Sequence, residues 1–157
     1  MKEVSRIGVI SDTHGLMRPE ALKALRGVDR IIHAGDVGTG DILEQLERIA
    51  PVTVVRGNVD VDELPLTASL ELGGRKIFVI HIREEMQFDP RTAGFSAVIF
   101  GHTHRALVEE RDGVLYLNPG AAGPRRFDVK PSVAILTADA KGLHAKLVPL
   151  AISDTAS

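Results

Sequence analysis

Five short apolar runs each end, within four residues, in side chains able to coordinate a cation. Ile7-Gly8-Val9-Ile10 leads into Asp12 and His14, Ile31-Ile32 into Asp36, and Val52-Thr53-Val54-Val55 into Asn58. Ile77-Phe78-Val79-Ile80 leads into His81, and Ala97-Val98-Ile99-Phe100 into His102 and His104. Runs this short and rich in β-branched residues read as buried strands. Buried strands need cover on both faces, which commits the chain to sheets packed against other layers. Donors at the ends of several strands converge on one crevice, where open α/β sheets place their chemistry. The chain therefore reads as one built to hold two metal ions.

The segments between the runs fix the fold class. Pro19 to Gly27 predicts a helix, with proline suited to its first turn, glycine past its end, and Leu22 and Leu25 toward the core. Asp41 followed by Glu44 resembles a capping box opening a second helix, which Pro51 stops. Strand and helix alternate here, so right-handed crossovers and a parallel sheet are expected. Residues 69–80 then read as a hairpin turning at Gly73-Gly74. Further strands are expected over 107–110, 114–117, 133–137 and 144–148, and 82–96 is left as a long irregular connection. The expected class is α/β, with two sheets face to face and helices on their outer faces, a four-layer α/β/β/α sandwich. At 157 residues the expectation is one domain over 1–150 and a small, polar, frayed tail over 151–157.

Composition narrows the chemistry. With no cysteine there are no disulfides, thiolate zinc sites or cysteine nucleophiles, which is compatible with the cytoplasmic location expected here. Metal binding falls to histidine, carboxylate and amide. A formal net charge of −2 with scattered Lys and Arg gives no nucleic-acid surface, and the densest basic group, Arg125, Arg126 and Lys130, reads as a solvated turn. No apolar stretch reaches membrane-spanning length, and the N-terminal run is too short for a signal-peptide core. An isologous homodimer is the default expectation for a chain of this size.

Asp12-x-His14, Gly35-Asp36, Gly57-Asn58, His81 and Gly101-His102-x-His104, in this order, resemble the successive motifs of the calcineurin-like metallophosphoesterases. The likeness runs from about Ile7 to Gly120, and Asn118-Pro119-Gly120 is similar to a turn of the small single-domain microbial phosphodiesterases. The resemblance implies that Asp12, His14, Asp36 and His104 hold one ion, and that Asp36, Asn58, His81 and His102 hold the other, with Asp36 as the bridge. It implies catalytic roles for Asp36, Asn58 and His102. The cofactors expected are two divalent transition-metal ions, Mn, Fe, Zn or Ni, because histidine-rich N/O coordination disfavours Mg²⁺ and Ca²⁺. Two divalent ions less two carboxylates and a bridging hydroxide leave net positive charge, which suits a small phosphate ester. In-line attack of the metal-bridged hydroxide on phosphorus is the expected mechanism, on a diester or a monoester.

Departures from the family pattern carry expectations of their own. Val59 stands where many members have a histidine that serves the leaving group, so good turnover is expected only for esters needing no proton there, such as aryl phosphodiesters. His81-Ile82-Arg83 replaces a common His-Gly-His, and Arg83 either contacts substrate phosphate or points to solvent. Strand alternation turns His33 away from the site into a hydrogen-bonded structural role, and His144 reads as structural or exposed. Asn118 either supports the metal loops or forms its own turn, and Asp60 either caps a loop or acts as a weak acid. The rival to the enzyme is a metal-binding protein-interaction scaffold, since the resemblance extends to a retromer subunit of this architecture that also lacks the histidine at the place of Val59. A nuclease acting on polymers has less support.

Overall fold

The computed structural model describes residues 6–38, 41–60, 63–125 and 129–151. The N-terminal stretch 1–5, Arg126 of the basic group and the tail 152–157 lie outside the described residues. Among the described residues, ten strands form two five-stranded sheets. In chain order these are β1 (Arg6–Ile10), β2 (Arg30–His33), β3 (Val52–Val54), β4 (Thr67–Leu72), β5 (Arg75–Ile80), β6 (Phe95–Ile99), β7 (Leu107–Arg111), β8 (Val114–Asn118), β9 (Ser132–Asp139) and β10 (Gly142–Pro149). The first sheet has the order β10-β9-β1-β2-β3 and the second β4-β5-β6-β8-β7.

Parallel pairing aligns the strand ends that matter. β1, β2 and β3 run parallel, as do β5, β6 and β8, so every expected ligand leaves the C-terminal end of a parallel strand. The hairpin expected at 69–80 is present as an antiparallel pair, and the strands expected at 107–110 and 114–117 pair antiparallel as well. Between the sheets lie Ile7, Val9, Ile32 and Val55 from one side and Leu72, Ile77, Val79, Ile99 and Leu117 from the other, all fully buried or nearly so. Removing an aliphatic side chain of this size from water stabilises the fold by about 1.5–3 kcal/mol.

The other face of the first sheet carries two helices, α1 (Pro19–Ala24) and α2 (Ile42–Glu47). Alternation along β1 and β2 turns Ile10 and Ile31 toward them, where Ala21, Leu25 and Leu46 complete a second buried cluster. Leu22 is only half-buried, so Leu25 is the stronger anchor of α1. The capping box does not form. Asp41 is the residue before α2, but its carboxylate accepts from the Gln45 side-chain amide at 2.8 Å and caps no backbone N–H.

The outer face of the second sheet is covered differently. Phe78, Ile80, Val98, Phe100, Val114 and Tyr116 are packed there by Met86, Phe95 and Leu107, and the connection after β5 forms a single 3₁₀ turn, Arg83–Glu85, rather than an α-helix. The expected sandwich is thus present with a thin fourth layer. None of the helices among the described residues is long and apolar enough to cross a membrane.

Candidate metal centre

The loops at the sheet ends are sewn together through backbone. Asp12 N donates to Gly35 O at 3.0 Å, His14 N to Asp36 O at 3.0 Å and Gly15 N to Val37 O at 2.8 Å, so the loop after β1 lies zipped along the loop after β2. The Asp60 carboxylate accepts N–H bonds from Val37, Gly38 and Gly57 at 3.2, 3.1 and 2.9 Å, which ties in the loop after β3. Three backbone donors on one carboxylate make Asp60 a staple rather than an acid. Gly35 adopts φ +104°, as a tight turn requires, and also lies against the His81 ring. Gly57 and Gly101 are glycines for want of room, since a Cβ would collide with Asp36 at the first and with Ser11 and Asp12 at the second.

These loops aim electron-pair donors at one place. Asp12 Oδ2 accepts from Ser11 Oγ at 2.6 Å and His102 N at 3.1 Å, which leaves Oδ1 buried with no hydrogen-bond partner. That oxygen is 3.4 Å from His104 Nε2, 3.7 Å from His14 Nε2 and 3.9 Å from His81 Nε2. Asp36 Oδ1 accepts from Val59 N at 3.0 Å, and Oδ2 lies between His14 Nε2 at 3.6 Å and His81 Nε2 at 3.2 Å. His81 Nδ1 donates to Ala34 O at 2.7 Å, so its Nε2 is the atom turned inward. The Asn58 side-chain amide lies 3.0 Å from His81 Nε2 and 3.3 Å from His102 Nδ1, and its NH2 end donates to the two Asp36 oxygens at 3.3 and 3.1 Å.

Acceptors pointed at acceptors repel unless a cation lies between them. The unpartnered Asp12 Oδ1, buried and ringed by imidazoles, is the arrangement a divalent cation satisfies. Donor atoms within 4.8 Å of one another form two groups, Asp12, His14 and His104, and Asp12, Asp36 and His81. Six of the seven expected ligands are thus in direct mutual contact with an Asp or His of the set, and His102 joins through Asn58. The donors fit transition-metal ions of mixed N/O preference.

Electrostatics agree with that fit. Burial pushes the Asp36 carboxyl up, but the His81 hydrogen bond and the Val59 N–H outweigh it and hold the group down at about 2. Burial pushes His81 down, and the bonds to Asp36 and Ala34 with the Asp12 charge outweigh it, so its pKa is raised. Without ions, protons take the place of cations between these groups.

Backbone conformation marks the same residues. Asp12, His14, Asp36, His102 and His104 all have φ between 47° and 73°, and Asp112 is the only other non-glycine at positive φ among the described residues. Such strain persists where the surroundings over-determine it, and it clusters at functional sites.

Other expected residues fall elsewhere. Arg83 stacks its guanidinium over Tyr116 at 4.1 Å and Phe100 at 5.4 Å, with Nη1 3.9 Å from Glu109, on the outer face of the second sheet and away from the donors. His33 is fully buried, on the helix side of β2 as alternation requires, and His144 is exposed beside Asp139 at 3.1 Å. Asn118 does both things expected of it, donating to Gly101 O and Thr103 Oγ1 at 3.1 Å and accepting from Gly120 N at 2.9 Å. Ser11 went unread, although it shares the parity of Ile7 and Val9 and so had to face the second sheet. Arg56 was unread too. It lines a cleft of about 770 Å³ that opens beside Asn58 and His81, with Leu66, Ile82, Glu84 and Glu85.

Comparison with known proteins agrees with the geometry. Residues 6–141 match the family model of the calcineurin-like phosphoesterase superfamily domain. A probable metallophosphoesterase of Methanothermobacter thermautotrophicus is 37% identical over 158 residues, covering 90% of this chain and 91% of that one. A protein named as a phosphodiesterase, from Methanocaldococcus jannaschii, is 27% identical over 87% of this chain and 95% of that one. The zinc complex of Vps29 from Entamoeba histolytica shares the fold, with a TM-score of 0.70 at 22% identity over 92% of this chain and 98% of that one.

Proposed function

The chain belongs to the calcineurin-like phosphoesterase superfamily, and within it we propose a phosphodiesterase that works with two divalent ions. The observation that carries this reading is Asp12 Oδ1, a buried carboxylate oxygen with no hydrogen-bond partner, ringed by the Nε2 atoms of His104, His14 and His81. Asp12, His14, Asp36 and His104 would hold one ion, and Asp36, Asn58, His81 and His102 the other. When bound, such ions supply an activated water and take up the charge that develops on the phosphoryl oxygens. The zinc held by the Vps29 neighbour supports zinc as one of the candidates, beside Mn, Fe and Ni.

The chain's own groups set the rest. Asp36, held as the carboxylate by Val59 N–H, keeps Oδ2 turned toward both halves. One arm of the ester lies in the cleft beside Asn58, against Leu66 and Ile82. Glu84 and Glu85 in that cleft disfavour an arm bearing further phosphates, which favours small diesters over polymers. Val59 cannot transfer a proton, so the leaving group departs as its anion.

The test is hydrolysis of an aryl phosphodiester by metal-stripped protein reloaded with Mn²⁺. Turnover should require the metal and fall at least ~100-fold in Asp36→Asn and Asn58→Ala, and unactivated alkyl diesters should be far slower. Equal alkyl and aryl rates would overturn the leaving-group argument. Metal uptake without turnover above the variants would favour the scaffold, the reading that Val59 and Leu66 support by standing 55% and 59% exposed beside the centre.

A further inference from the structure

The buried imidazole of His33 touches none of the candidate ligands, yet it spans both loops that carry three of them. Gly35 N, one residue before Asp36, donates to His33 Nδ1 at 3.1 Å. On the other side His33 Nε2 is 3.0 Å from Thr13 Oγ1, and Thr13 stands between Asp12 and His14. Thr13 Oγ1 gives its own proton to Val37 O at 2.8 Å, just past Asp36. With Nδ1 accepting from a backbone N–H and Thr13 donating onward, the His33 proton sits on Nε2 and is donated to Thr13. His33 and Thr13 are both fully buried, so these bonds do not exchange with water.

We propose that His33 is a positioning residue: through Thr13 and Gly35 it sets the spacing between the loop of Asp12 and His14 and the loop of Asp36. The residues flanking those contacts hold strained backbone, φ 54° at Asp12, 47° at His14 and 57° at Asp36, which needs external restraint to persist. The backbone zipper between the loops fixes their register, but its bonds all lie along one line, 12–15 against 35–37. The imidazole braces that zipper from its helix-facing side. Its two nitrogens separate the two contacts by a rigid ring, which a flexible side chain cannot reproduce.

This inference rests on the metal-centre reading, and the experiment separates the two. Mn²⁺ binding is measured by calorimetry and by electron paramagnetic resonance on wild type, His33→Ala, His33→Asn, His33→Gln and Thr13→Val. Asparagine places an acceptor near Nδ1 and keeps the Gly35 contact, while glutamine places a donor near Nε2 and keeps the Thr13 contact. The ion assigned to Asp12, His14, Asp36 and His104 should bind about 10–100-fold more weakly in the alanine variant, with the coupled two-ion spectrum giving way to a single-ion one. Asparagine and glutamine should each restore part of the affinity, and Thr13→Val should add little on top of His33→Asn, because both break the same contact. Two equivalents bound at unchanged affinity in all variants, whatever their melting temperatures, would overturn the role. If alanine does not fold, the asparagine and glutamine variants decide by the same criterion. Wild-type protein that takes up no Mn²⁺, Zn²⁺, Fe²⁺ or Ni²⁺ would instead remove the metal centre itself, and His33's part with it.

Discussion

An L-residue at φ near +60° brings its Cβ toward the following carbonyl and costs about 1 kcal/mol relative to glycine. Asp12, His14, Asp36, His102 and His104 all bear that cost, and their proposed part in holding metal accounts for side chains where glycine would be unstrained. His102 is the cleanest place to test this, because its ring is exposed and its backbone N–H bond to Asp12 survives loss of the side chain. His102→Gly should therefore stabilise the metal-stripped protein by about 1 kcal/mol, a rise of roughly 2–4 °C in melting temperature, while lowering metal-dependent hydrolysis at least ~100-fold. His102→Ala should lose the activity without the gain in stability. Equal melting temperatures for the two variants would show that the strain is not stored there. The seven candidate donors stand out in the sequence because each follows an apolar run, and the fold brings them near one another. Their left-handed backbone was not legible there, since aspartate and histidine carry no mark of φ. The need for glycine at 57 and 101 was hidden for a similar reason: a close approach between distant segments leaves no local signature.

At the scale of elements, strands and hairpins were readable from apolar runs and glycine turns, whereas long-range pairing was not. β9 joins β1 antiparallel across most of the chain, pairing Leu136 with Ile7, and nothing in either apolar run names the other. The cover of the second sheet was equally hidden. The 82–94 connection is pinned by aromatic contacts, Phe88 to Phe78 at 4.9 Å and Phe88 to Phe95 at 5.8 Å, and by Arg83 over Tyr116. That use of Arg83 competes with the phosphate contact its position suggested. Arg83→Ala should lower stability by about 1 kcal/mol, the worth of a partly buried cation–π contact, and leave KM for an aryl phosphodiester within about twofold. A KM raised tenfold with stability intact would return Arg83 to the substrate. Truncating Phe88 would loosen that cover without touching any of the candidate ligands.

For the whole molecule, two buried histidines pull stability in opposite directions with pH. His33 is lowered from 6.5 to about 4, mainly by burial, so the unfolded chain takes up a proton between those values that the folded chain refuses. Stability therefore falls as pH drops from 6.5 toward 4, by about 3 kcal/mol for a shift of this size. His81 is raised instead, against the effect of burial, by Asp36, Ala34 and Asp12. Its contribution is complete below pH 6.5 and is lost as pH rises through the folded value. Asp36, held near 2, adds stability above its ordinary value of 3.8 that disappears only in strong acid. The metal-stripped protein should accordingly be most stable near pH 6.5. Divalent ions act most on the alkaline limb, because a ligating His81 must give up its Nε2 proton, and ion binding then stabilises the fold more at pH 8 than at pH 5. Melting temperatures from pH 4 to pH 9, with chelator and with Mn²⁺, should show a maximum that moves upward in pH on loading. A loaded profile parallel to the stripped one at every pH would mean that His81 binds no ion.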